Sequence, residues 1–326
     1  MICIEPIKEL YCLYRISLYL TCSLFVKNTQ IQDSRYRGRF APSPTGPLHF
    51  GSLVAAVGSY LDAKFNHGDW LVRIEDLDWQ REVPDAASEI LYTLERLGME
   101  WDGEVIYQSK RSGIYQEALD VLNDQGFIYP CVCSRREVAD SSIMGISGPI
   151  YPGTCFKNPV PNNKAYALRI RTSDDLIEFN DMLQGSYAQK LRNDIGDFIL
   201  RRANGVYAYQ LAVVVDDAAQ NITHVVRGAD LLDSTPRQIF LQRLLGYSTP
   251  SYLHLPIVTN ATGEKLSKQT RAAPIDLSNA LTQLVDALHF LGQQPPLEMI
   301  EGDVSSFWQW ASMHWRVDQI PHRFSN

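Results

Sequence analysis

Apolar positions between Tyr36 and Leu122 follow two alternating periods. Tyr36 to Ala41 predicts a short strand that runs into Pro42-Ser-Pro-Thr-Gly-Pro47. The prolines there cannot donate to a ladder, so this is a loop at a strand's carboxyl end. Leu53, Val57, Tyr60 and Leu61 then recur at helical spacing, with Gly68 as a stop. Trp70 to Ile74 predicts a second strand, ending in Glu75 and Asp76. Pro84 to Leu97 predicts a helix with proline at its start and Gly98 just past its end. Tyr115, Ala118, Leu119 and Leu122 mark one face of a further helix, closed at Gly126.

From Phe127 to about Arg202 the pattern changes. This stretch holds Cys131, Cys133 and Cys155, a Gly/Pro-rich loop from Gly145 to Gly153, and a period-two strand from Tyr166 to Ile170. It reads as an insertion. Beyond it, Val206 to Val215 is apolar enough to predict a central buried strand. His224 to Arg227 predicts another strand, and Pro236 to Leu245 a helix ending at Gly246. The 58 residues after Lys268 are mostly helical in pattern. Strands alternating with helices predict a parallel sheet covered on its faces, with ligands beyond the strands' carboxyl ends. The Pro/Gly loop and Glu75 both fall there.

Hydrophobic content of 45%, charged content of 21% and a net charge of −7 are ordinary for a globular chain of 326 residues. The negative sign argues against nonspecific coating of nucleic acid. Tyr129 to Arg202 nonetheless carries ten Lys/Arg against eight Asp/Glu, which permits a nucleic acid partner locally. The six cysteines form no disulfide framework and fit a reducing cytoplasm. Leu10 to Val26 is largely apolar but short for a membrane span and interrupted by Arg15. Residues 1–35 are expected to be a disordered extension, with a membrane anchor as the alternative.

Two distant segments carry the chemistry. His49-Phe-Gly-Ser52 opens a helix, whose unpaired amides and positive dipole end suit phosphate, and Gly51 permits close backbone approach. Lys265 and Lys268 supply cations from a loop. Separately each is weak, since most lysines are surface lysines; together they predict binding of a nucleoside triphosphate and charge stabilisation at its α-phosphate. The three cysteines suggest zinc, which takes four ligands in a structural site. No histidine occurs between His67 and His224, so Glu137, Asp140 or water are candidate fourth ligands. Three buried reduced thiols are the alternative.

Arg39 to Leu53, Arg73 to Asp78, Tyr207 to Asp217, His224 to Asp230 and Lys265 to Gln269 closely resemble, in order, the motifs of glutamyl-tRNA synthetases, class I enzymes with HIGH and KMSKS signatures. The resemblance implies an α/β fold: a Rossmann-like parallel sheet with an inserted zinc-binding α+β subdomain and a short helical C-terminal region. The implied boundaries are 36–126 and 205–250 for the catalytic halves, 127–204 for the acceptor-type insertion, and 251–326 for the KMSKS-like loop and C-terminal helices. The 58 residues after Lys268 cannot supply an anticodon-binding region. A truncated form with Cys-x-Cys and Tyr-x-x-x-Cys is similar to the glutamyl-queuosine tRNA(Asp) synthetases.

That resemblance implies activation of L-glutamate with ATP and Mg²⁺, and its transfer to queuosine in the anticodon of tRNA(Asp), by a cytoplasmic monomer with no membrane association. It assigns Arg39, Phe40, Ala41, Pro42, Ser43, Glu75, Tyr209 and Arg227 to glutamate. It assigns His49, Gly51, Ser52 and Lys268 to ATP; His49, Lys265 and Lys268 to catalysis; and Cys131, Cys133, Tyr151 and Cys155 to one Zn²⁺. Taken alone, Arg227 reads rather as an ion-pair partner of Asp230 or Asp216, and Tyr209 as core packing on the buried strand. Ser52 and Gln269 depart from the two signatures, so roles do not transfer to them directly. A minimal glutamyl-tRNA synthetase and a non-catalytic tRNA-binding paralogue are the alternatives.

Overall fold

The computed structural model describes residues 35–145, 148–158, 160, 164–259 and 273–322. Expectations for 1–34, and for Lys265, Lys268 and Gln269, lie outside the described residues. Strands β1 (Arg37–Phe40), β2 (Asp69–Ile74) and β3 (Ile106–Tyr107) form a parallel sheet with β2 in the middle. Parallel neighbours need a crossover, and helix α1 (Phe50–Phe65) supplies the one between β1 and β2. A second parallel pair joins β11 (His224–Gly228) to β12 (Ser251–Leu255). It is laced to β1 where the Thr223 N–H donates to the Arg37 carbonyl at 3.0 Å and the Arg37 N–H to Thr223 Oγ1 at 2.8 Å.

Helix α1 is buried from Leu53 to Ala63 except at Ala55, as a helix sandwiched between a sheet and further helices must be. Its Gly58 lies so close to β12 that a Cβ there would come within 2.5 Å of Leu255. Two C-terminal helices, Ala280–Phe290 and Val304–His314, cover its other side. Trp308 and Trp315 anchor that cover by donating to the Leu97 carbonyl at 2.7 Å and to Asp62 at 3.1 Å. No helix among the described residues is long and apolar enough to cross a membrane.

One predicted element is of the wrong kind. Val206 to Val215 is not a strand: Tyr209–Ala219 is an α-helix, preceded by Ala208 in an extended conformation. All seven residues from Leu211 to Asp217 are buried. A helix buried on every side shows no amphipathic period, so its β-branched run reads as a central strand.

Between Phe127 and Arg202 the described strands pair antiparallel, and a single parallel bridge joins Tyr151 to Gly196. Ile128–Cys131, Ala167–Ile170 and Ile199–Arg201 form a sheet with the second of these in the middle. Hairpin β8–β9 (Leu176–Asp181 and Gly185–Lys190) pairs throughout its length. The Gly/Pro-rich segment closes as a small hairpin, Met144–Gly145 against Gly148–Pro149.

Candidate active site

A cavity of about 550 Å³ opens beyond the carboxyl ends of β1, β2 and β11. Arg39, Phe40, Ala41, Ser43, Glu75, Tyr209 and Arg227 all line it. Pro42 does not, but its carbonyl accepts the Glu75 N–H at 2.9 Å and so fixes where that side chain begins. His49, Gly51 and Ser52 line a second cavity of about 210 Å³. The two share Ala55, Gly228 and Asp230 along their walls, so a molecule in one can meet a molecule in the other. The residues flanking 260–272 adjoin the smaller one: Val258 lines it, and Pro274 forms a β-bridge with His49.

The two arginines of the larger cavity differ in their company. Arg39 already faces a carboxylate, donating from Nε and Nη2 to Asp217 at 3.2 and 3.4 Å. Among the described residues Arg227 has only neutral partners: His254 Nε2 at 3.1 Å, the Tyr209 hydroxyl at 3.4 Å, Thr235 Oγ1 at 2.9 Å and the Leu231 carbonyl at 3.4 Å. Its pairing with Asp230 or Asp216 is not observed. A guanidinium only 5% exposed with no counter-charge is costly to keep, and an anionic ligand in the cavity would complete it. Tyr209 sits on the first turn of its helix rather than on a strand. Burial, partly offset by Arg227, raises its hydroxyl pKa, so the phenol stays neutral.

Sequence inspection missed the charge network beneath this cavity. Arg73, fully buried, pairs with Asp217 at 2.8 Å and with Glu75 at 3.4 Å, and Gln220 accepts from it at 2.7 Å. Burial alone would raise the Asp217 carboxyl, but Arg39 and Arg73 hold it below the usual carboxylate range. Neighbouring Asp216 takes Gln108 at 2.8 Å, Arg111 at 2.7 Å and the Tyr115 hydroxyl at 2.7 Å. Glu75 is the carboxylate left least compensated. Burial lifts it from 4.5 to about 7, with Arg73 and Arg39 opposing and the two aspartates adding to the rise. It is poised to ionise when a cation arrives.

The start of α1 explains Ser52. His49 is the N-cap, and its Nδ1 accepts the Ser52 N–H at 3.2 Å while Ser52 Oγ accepts the His49 N–H at 2.7 Å. This reciprocal cap satisfies amides that would otherwise be orphaned. With Nδ1 accepting, a neutral His49 carries its ring proton on Nε2, as a donor.

The three thiols come together as expected. Their sulfur atoms lie within 4.8 Å of one another, with Cys133 and Cys155 at 3.4 Å. The Tyr151 hydroxyl is 3.4 Å from both Cys131 and Cys133 and accepts the Cys155 N–H at 2.8 Å. Four donors so spaced fit the edges of a tetrahedron with metal–sulfur bonds of about 2.3 Å. The proposed substitutes Glu137 and Asp140 are exposed, and Glu137 instead caps its own helix at Ser134. Arg169 stacks on the Tyr151 ring at 3.9 Å and donates from Nε to Cys131 Sγ at 3.2 Å, a cation placed where thiolates would gather. The cluster can hold a metal ion.

Comparison with known proteins agrees with this geometry. Residues 35–286 match the family model for the catalytic domain of class I tRNA synthetases of the glutamate and glutamine type. The glutamyl-Q tRNA(Asp) synthetase of Dechloromonas aromatica is 57% identical over 89% of this chain and 97% of its own length. That of Chromobacterium violaceum is 52% identical over 89% and 97%. The crystal structure of glutamate-tRNA synthetase from Elizabethkingia anophelis superposes with a TM-score of 0.74 at 25% identity, over 89% of this chain and 67% of that one. The chain belongs to the class I tRNA synthetase family and, within it, to the glutamyl-Q tRNA(Asp) synthetases.

Proposed function

We propose that the chain activates L-glutamate with ATP and transfers it to queuosine in tRNA(Asp). The observation that carries this is Arg227, a buried guanidinium without a counter-charge among the described residues, facing the same cavity as a carboxylate, Glu75, whose pKa sits near neutrality. A zwitterionic amino acid with a second carboxylate complements both. Glu75 takes the α-ammonium, Arg227 and Tyr209 take one carboxylate, and the remaining Arg39 Nη1 edge, with Ser43 in the adjoining loop, suits the other.

ATP lies in the adjoining cavity, over the start of α1. The glutamate α-carboxylate attacks the α-phosphorus, glutamyl-adenylate forms and pyrophosphate leaves. His49 donates from Nε2 to a phosphate oxygen, and the helix amides add to it. Lys265 and Lys268 neutralise charge on the transferring phosphate, where positioning and electrostatics carry most of the catalysis. Mg²⁺, bound with ATP, supplies further neutralisation. A hydroxyl of the queuosine cyclopentene diol then attacks the activated carbonyl, loses its proton, and AMP leaves. Cys131, Cys133, Tyr151 and Cys155 would hold one Zn²⁺, whose contribution is structural, bracing the segment from 127 to 204 as an RNA-facing insertion. The protein acts as a monomer in this reading.

The test is transfer of labelled glutamate, with ATP and Mg²⁺, to tRNA(Asp) with and without queuosine. Labelling confined to the queuosine-containing tRNA is expected. Labelling of tRNA(Glu) would make the chain an ordinary glutamyl-tRNA synthetase, and no labelling would point to a tRNA-binding paralogue.

A further inference from the structure

We propose that Asp181 and His254 form a buried relay that positions the Arg227 guanidinium for its carboxylate ligand, and that through it the β8–β9 hairpin sets the geometry of the amino acid pocket. The functional half of this inference rests on the cavity being the glutamate site; the hydrogen-bond geometry does not.

The parallel register places Arg227 directly beside His254 in β12, so both side chains leave the sheet on one face. Asp181, at the end of β8, faces the ring from the other side, with Oδ2 2.6 Å from His254 Nδ1. Its Oδ1 accepts three backbone amides: Leu183 at 3.1 Å, Gln184 at 2.8 Å and His254 at 3.2 Å. An aspartate held by so many donors is an ionised acceptor, so Nδ1 must carry the proton. Arginine cannot accept, so Nε2, 3.1 Å from Arg227 Nε, must carry the lone pair. The two demands are independent and select the same tautomer. All three residues are at most 5% exposed. Burial, with the Arg227 charge adding to it, outweighs the Asp181 hydrogen bond and pushes His254 down to about 4, which keeps the ring neutral at pH 7.

The relay leaves the guanidinium little freedom. Nε is held by His254, and both Nη2 hydrogens are taken by Thr235 Oγ1 and the Leu231 carbonyl. Nη1 gives one hydrogen to the Tyr209 hydroxyl, and its second is available to the ligand. The relay begins in a hairpin that is itself fastened to β12, by Met182 N–H to the Tyr252 carbonyl at 2.9 Å and Gln184 Nε2 to the His254 carbonyl at 2.8 Å. Asp181 and His254 touch no ligand; they are positioning residues.

The experiment has two arms, both on the full chain. In the first, ¹⁵N spectra of the histidine-labelled protein at pH 7 report the His254 ring, assigned by its loss in His254→Gln. A neutral ring protonated on Nδ1 is expected; a ring protonated on Nε2, or charged, overturns the relay. The second is glutamate-dependent pyrophosphate exchange. His254→Asn keeps a donor for Asp181 but loses the acceptor for Arg227, whereas His254→Gln places an amide oxygen near the Nε2 position. Asp181→Asn turns a donor toward Nδ1 and drives the proton to Nε2, against Arg227. His254→Asn and Asp181→Asn should raise KM for glutamate on the order of tenfold or more, as loss of an outer support does, with KM for ATP unchanged and His254→Gln closer to wild type. Equal effects of Asn and Gln at 254, or parallel rises in both KM values, overturn the positioning role. If the wild type shows no glutamate-dependent exchange, the glutamate reading fails, and the ring tautomer then decides the relay by itself.

Discussion

Arg73 and Asp217 form a 2.8 Å ion pair in which both partners are almost wholly removed from water. Arg39 shares the same carboxylate at 3.2 Å. Removing one partner of a buried pair strands the other charge, at a cost of about 3–5 kcal/mol. Asp217→Ala takes the shared carboxylate from two buried guanidinium groups at once, leaving Arg73 with Glu75 at 3.4 Å and Arg39 with no ion-pair partner among the described residues. Its urea unfolding midpoint should fall by an amount equivalent to at least that range, with an unchanged slope. A change within about 0.5 kcal/mol, typical of surface substitutions, would mean that water reaches these arginines.

Glu75 should give the site a pH dependence of definite sign. Its folded pKa is raised from 4.5 to about 7, so the folded state holds this proton more tightly than the unfolded chain. Its contribution to stability is present below about 4.5 and is lost as pH rises toward about 7. Ligand affinity runs the opposite way, because an ammonium group needs the ionised carboxylate. Glutamate affinity should therefore climb with pH through neutrality, and binding near pH 7 should release about half a proton per site. Calorimetry in two buffers of different ionisation enthalpy measures this directly. Glu75→Gln should abolish the proton release and weaken glutamate, and release that persisted in this variant would move the titration to another group.

Ser52→Ala removes the return half of the cap at the start of α1. Cap losses cost about 1 kcal/mol, which thermal unfolding would detect. The same change removes the side-chain acceptor of the His49 N–H at the wall of the proposed ATP cavity, so KM for ATP should rise several-fold while KM for glutamate stays level. A rise in glutamate KM instead would mean that the cap supports the other cavity.

Purified protein should contain about one zinc per chain, as four converging donors require. Cys155→Ser should lose it, and a strong chelator should lower the melting temperature of the wild type but not of that variant. Arg169→Ala removes the cation beside Cys131 and should weaken the metal about 10–100-fold in a chelator competition. Metal content below one in ten chains in the freshly prepared wild type would leave a cluster of thiols and no metal centre.

Much of the fold was legible, because β1 and β2 are short runs that end at recognisable loop residues, and α1 and the helix Thr235–Leu245 are each followed by a glycine stop, Gly68 and Gly246. The helix Tyr209–Ala219 was not, since burial on all sides erases the period that separates helix from strand. Its length, eleven residues without Gly or Pro, was the signal that favoured a helix. The cavity residues were legible through resemblance to a known family, and Arg39, Glu75, Tyr209 and Arg227 do converge. Asp217, Arg73 and Gln220 were not, because a buried charge shows itself only through partners far away in the chain. Arg73 and Gln220 stand 147 positions apart. Ser52 looked like a departure from a signature, and only the cap at His49 shows what it does.

Asp216 and Asp217 are consecutive on one helix and so face about 100° apart. One grips Tyr115 of helix Ser112–Asp124 and Arg111, its N-cap, and the other grips Arg39 and Arg73 from β1 and β2. The helix that delivers Tyr209 to the cavity is thereby bolted to the opposite wall by charges that cannot separate without exposing themselves in a dry interior. A cavity built this way is preorganised: its walls do not need to close around a ligand, and little of the binding energy is spent on assembling them. If the cavity takes the amino acid as proposed, this clasp predicts an association that leaves these walls in place, with any larger motion carried by other parts of the chain.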